Sequence, residues 1–77
     1  MKFAVEYTDT FGGQANYCWV RRATIEASGN ASRATIMRKA KSAVGISGMR
    51  GRTYDMGDGF EFRPYRCCTV LFVTADY

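Results

Sequence analysis

Thr69-Val70-Leu71-Phe72-Val73 is the stretch on which the fold turns. Successive strand residues point to opposite faces, so a run that is apolar on both faces needs cover above and below. The final strand, Arg66 to Thr74, is therefore predicted at the centre of a sheet, and the rest of the chain must supply its neighbours. Just before it, Pro64-Tyr65 reads as a turn, Phe60 to Arg63 as a short strand, and Met49 to Asp55 as another. Met56-Gly57-Asp58-Gly59 joins those two by a tight reversal, since Gly and Asp supply the corner conformations. At the other end, Met1, Phe3, Val5 and Tyr7 alternate with Lys2, Ala4, Glu6 and Thr8, the period of a half-buried strand. Tyr17 to Ala27 is rich in aromatic and β-branched residues and reads as its hairpin partner, with Asp9 to Asn16 as a long connection around Gly12-Gly13.

Between the two halves, Ser28-Gly29-Asn30-Ala31-Ser32 breaks the strand pattern and offers helix N-cap side chains. A helix follows to about Val44, with Ile36, Met37, Ala40, Ala43 and Val44 on one face and Arg38, Lys39 and Lys41 facing away. Gly45 supplies the left-handed residue that ends it. The order is ββαβββ. It predicts an α+β fold: an antiparallel sheet of four to five strands with one helix packed on one face and the other face open. Residues 1–77 are too few for a second core and form a single compact domain. A hydrophobic share of 47% is too high for a disordered chain.

The residues that carry chemistry are sparse. With no histidine, the usual general base at neutral pH is missing, and nothing stands ready to activate Cys18 as a nucleophile. Glu26 or Glu61 could serve as a base only if burial raised its pKa, and neither lies in a strongly apolar setting. No enzymatic activity is expected. Cys18, Cys67 and Cys68 read as small buried hydrophobes, not as a zinc site, so no metal and no cofactor are expected. Gly12-Gly13-Gln14 matches the tripeptide of peptide release factors, but a turn explains the glycines. Gly45 to Gly51 is glycine-rich yet follows a helix, the wrong order for a phosphate loop. Asp55, Asp58 and Glu61 lack the ligand spacing of a calcium loop. The opening residues, with Glu6, contain no signal-peptide core, and no stretch approaches the roughly 20 apolar residues of a membrane span. With free thiols, this predicts a cytoplasmic protein with no membrane partner.

Charge is more informative. From Ala27 to Tyr54 there is no acidic residue, while Arg33, Arg38, Lys39, Lys41, Arg50 and Arg52 are all cationic. The helix forgoes the Glu–Lys pairs that ordinarily steady a solvated helix. Arg50 and Arg52 share a strand face with Tyr54, and Tyr17 and Trp19 offer flat rings near Arg21. The predicted partner-binding set is Arg38, Lys39, Lys41, Arg50, Arg52, Tyr54, Tyr17, Trp19 and Arg21, because aromatics and arginine dominate binding hot spots.

Val5-Glu6-Tyr7-Thr8-Asp9-Thr10-Phe11-Gly12-Gly13 and Ala15-Asn16-Tyr17-Cys18-Trp19-Val20-Arg21-Arg22 resemble small phage and prophage proteins. Ile36-Met37-Arg38-Lys39-Ala40-Lys41 and the glycine beyond are in keeping. Such stand-alone domains in turn resemble anti-CRISPR inhibitors, several of which combine an antiparallel sheet with one helix. The resemblance implies a phage-encoded protein in the host bacterial cytoplasm. Its partner would be a large host protein or ribonucleoprotein, a CRISPR–Cas surveillance complex or its nuclease, whose target-DNA binding or nuclease recruitment it would block. A net charge of +4 argues against DNA mimicry. The alternative expectation is a basic nucleic-acid-binding accessory or regulatory protein of a phage, using the sheet or loops. A homodimer through the open sheet face and a virion component are further readings.

Overall fold

The computed structural model describes residues 1–76; Tyr77 and the side chain of Asp76 lie outside the described residues. The strands are β1 Lys2–Phe11, β2 Gln14–Glu26, β3 Gly51–Asp55, β4 Gly59–Pro64 and β5 Thr69–Asp76, with helix α1 at Arg33–Ala43. They form one five-stranded sheet in the order β2-β1-β5-β4-β3, every neighbouring pair antiparallel. The chain is α+β. The doubly apolar strand is central, as its composition demands: Val70, Leu71 and Val73 have no solvent exposure.

On one face, Phe3, Val5 and Tyr7 of β1 line up with Ile25 of β2, Leu71 and Val73 of β5 and Phe62 of β4. Ile36, Met37 and Ala40 of α1, with Val44, close this core. The Ser32 hydroxyl caps the helix by accepting the Thr35 N–H at 3.2 Å. At the other end, Gly45 at φ 79° lets its own N–H reach the Ser42 carbonyl and the Ile46 N–H reach that of Lys41, while Ile46 is buried beneath.

Several expectations need correction. The β1–β2 connection is short: both strands run on to a two-residue turn, Gly12 at φ 63° and Gly13 at φ 85°. Adjacent glycines accept positive φ at both corners, so the polar residues around them continue the ladder. Ala43 is exposed, and Lys41 is half-buried instead of facing away. Its stem crosses the core edge, and its Nζ sits 4.0 Å above the Phe62 ring. Cys18, Cys67 and Cys68 are all exposed, Cys67 and Cys68 in the bend before β5.

Candidate functional site

The helix lies toward the β2 side of the sheet. Lys39 Nζ reaches across to the Glu26 carbonyl at 3.0 Å, and Arg21 Nη1 donates to the Val44 carbonyl at 2.9 Å. That placement opens a groove of about 450 Å³ between α1 and the edge strand β3. Arg33, Met37, Arg38 and Lys41 form the helix wall, Thr53 the strand wall, and Ser47 and Gly48 the end. None of its lining residues is acidic. Asp55 and Asp58 line a separate depression beyond Phe60.

The groove's cations are anchored without carboxylates. The Arg33 guanidinium stands 5.7 Å from the Phe60 ring centre. Lys41 combines its ring contact with one hydrogen bond, Nζ to the Met49 carbonyl at 3.0 Å, so two of its three N–H donors are free. Burial lowers the Lys41 pKa, an expected cost of holding an ammonium off the solvent. Arg38 spends one donor on the Thr35 hydroxyl, at a long 3.4 Å. Among the described residues the ion pairs lie elsewhere: Arg22 with Glu6 and Arg63 with Glu61. Chemically, the groove can hold an anion by charge and by hydrogen bonds.

Around the β3 edge, on the opposite sheet face, Arg52 lies beside Tyr65 and Tyr54, whose hydroxyls push its pKa further up. Tyr54 and Tyr65 are 45% and 57% exposed, so their rings are accessible. Arg50 is exposed just before β3, and its carbonyl accepts the Tyr65 N–H at 2.9 Å.

The sequence-derived set thus divides. Arg38 and Lys41 meet in the groove, and Arg50, Arg52 and Tyr54 flank its strand wall. Lys39 belongs to the far flank of the helix. Trp19 and Arg21 pack on the helix face, where Trp19 meets Tyr7 at 5.3 Å between ring centres and Arg21 lies over both rings. Tyr17 is on the other face, against Glu6 and Phe72. Arg33 and Tyr65 were not singled out. The signal for Arg33 was its spacing, since 33, 37 and 41 share one helical stripe beside 38.

Among the described residues no group of three His, Cys, Asp or Glu side chains comes together. No helix of the described residues is long and apolar enough to cross a membrane. In comparison with known proteins, the chain matches no family model, no curated protein and no solved structure.

Proposed function

We propose that the protein acts by stoichiometric binding and not by catalysis, and that its partner is a large anionic assembly. The groove between α1 and β3 carries this reading: Arg33, Arg38 and Lys41 line it with no acidic residue beside them. A cluster of like charge without counterions costs folding energy, and a partner's negative charge would offset that cost.

The assembly we favour is a crRNA-guided CRISPR–Cas complex, whose target-DNA binding or nuclease recruitment the protein would block in the bacterial cytoplasm. Support for that identity comes from the resemblance of residues 5–22 to phage proteins. The ribonucleoprotein offers exposed phosphate to a basic surface, and the net charge of +4 fits binding to such a partner better than mimicry of DNA. The test is retention of purified surveillance complexes or their nucleases on the immobilised protein, with phage plaquing on immune cells as the second readout. Stoichiometric retention with restored plaquing is expected. Failure of both would overturn the reading.

A further inference from the structure

We propose that the groove holds the sugar-phosphate backbone of a single-stranded nucleic acid, which then crosses the β3 edge onto Arg52, Tyr54 and Tyr65. The inference rests on the reading above in taking the cationic side as the binding side, and it names which component of the partner is touched.

Size and shape come first. At about 450 Å³ the groove falls within the range of small-ligand sites, enough for a nucleotide but a poor seat for a double helix. Reading a duplex calls for a convex element that enters a groove about 12 Å wide, whereas here the cations line a concavity. The donors are also laid out for phosphate. Arg33 and Lys41 are oriented by the rings of Phe60 and Phe62 beneath them, and their free N–H groups need no carboxylate to be displaced. Thr53 and Ser47 add neutral hydroxyls that suit phosphate or sugar oxygens.

The second, independent observation lies on the far side of β3. Arg52 and Tyr54 point to the face opposite Thr53, because neighbours in a strand alternate. Only the width of one edge strand therefore separates the groove from a guanidinium flanked by two accessible tyrosine rings. A basic channel followed by stacking rings is the pairing that single-strand binding requires, since every base offers a π-face. DNA and RNA share this chemistry, and the test separates them.

Fluorescence anisotropy with labelled oligo-dT, oligo-U and a duplex of equal length, each about 12 nucleotides, reads the binding directly. Either single strand should bind about tenfold or more tighter than the duplex, with a log–log salt slope of about −2 for three phosphate contacts. Arg38→Glu should weaken binding about tenfold. Lys39→Glu makes the same charge change on the other flank of α1 and should cost no more than about twofold. Thr53→Trp should block the groove with no change of charge, and it keeps the proposal testable if Arg38→Glu fails to fold. Far-UV circular dichroism confirms the fold of each variant. Equal binding of duplex, equal losses in the Arg38 and Lys39 variants, or full binding by Thr53→Trp would each overturn the proposal. If a Cas complex is retained but neither oligonucleotide binds, this inference fails and the previous reading stands. If an oligonucleotide binds but no complex is retained, the reverse holds.

Discussion

The paired arginines of the open face and the cations of the groove are handled differently. On the open face two arginines each have a carboxylate: Arg22 Nε lies 3.0 Å from Glu6, and Arg63 Nε lies 2.6 Å from Glu61. Arg63 also donates from Nη1 to the Gly13 carbonyl at 2.7 Å, tying the β1–β2 turn down across the sheet. In the α1–β3 groove Arg33 and Lys41 rest on Phe60 and Phe62, and among the described residues Arg38 has no carboxylate either. A ring orients a cation but leaves its charge in place, whereas a carboxylate both orients and cancels it. Arg22 and Arg63 therefore serve geometry, whereas the groove, and Arg52 just across the β3 edge, keep their field.

The most disruptive way to break this contrast is to remove the support common to both faces. Leu71 lies in the central strand, fully buried, opposite Tyr7 on one neighbour and Phe62 on the other. Leu71→Ala should cost about 2–5 kcal/mol in urea denaturation. Of similar origin, Gly59→Ala should cost about 1–3 kcal/mol, because an added Cβ would run into the Val73 carbonyl where β4 and β5 approach closely. A loss under about 0.5 kcal/mol in either would mean that β5 does not hold the two faces in register.

A sharper comparison sets one arginine of each kind against the other. Arg63→Ala removes an ion pair and the tie to Gly13, and should cost about 1 kcal/mol while speeding amide exchange in the Gly12-Gly13 turn. Arg38→Ala should leave stability within about 0.5 kcal/mol, since its side chain has one long hydrogen bond to lose. If Arg38→Ala destabilises as much as Arg63→Ala, the groove arginine is structural and the contrast collapses.

What the sequence disclosed and what it hid follow the same division. The central strand, the buried alternation of Phe3, Val5 and Tyr7 in β1, and the helix core residues Ile36, Met37 and Ala40 were legible because burial imposes a period. The β1–β2 hairpin was legible as a pairing, but its short turn was not, because Asp9 and Asn16 look like loop residues yet serve a bulge. Register shifts between Thr8 and Thr10, and the polar side chains there satisfy the displaced backbone. The Thr8 hydroxyl accepts the Tyr17 N–H at 3.1 Å and donates to the Trp19 carbonyl at 2.9 Å, while Asp9 accepts the Cys18 N–H at 2.9 Å. Tyr17 sits at φ 56°, a conformation a tyrosine rarely adopts. Three extra residues on β2, an odd number, flip the faces across this shift, so Tyr17 and Trp19, grouped by sequence spacing, end up on opposite sides. The groove was half legible: the acid-free segment announced a field, but where α1 sits over the sheet is a tertiary fact.

The smallest expected effect tests the neutralised side alone. The Tyr17 hydroxyl sits beside the Glu6 carboxylate, and its influence, with that of the neighbouring Arg22, lowers the Glu6 pKa against the opposing pull of burial. Because the folded value lies below the unfolded one, the carboxylate contributes stability above the ordinary glutamate range, and that contribution disappears as pH falls through the folded value. Tyr17 is shifted upward chiefly by the Glu6 carboxylate beside it, so its contribution is present below the ordinary phenol value and lost as pH rises through the folded one. The contact is thus complete only between the two titrations. With Arg22 two-thirds exposed, solvent screens the pair, and the Glu6 contribution should be about 0.5 kcal/mol at most. Urea midpoints measured from about pH 6 down to about pH 3 should fall less steeply for Glu6→Gln than for the parent protein. Asp9, lowered chiefly by its bond from Asn16, remains in both and supplies a common acid limb. Parallel curves would show that the Glu6–Tyr17 contact does not persist in solution, and Tyr17 would then owe its place on the open face to the bulge alone.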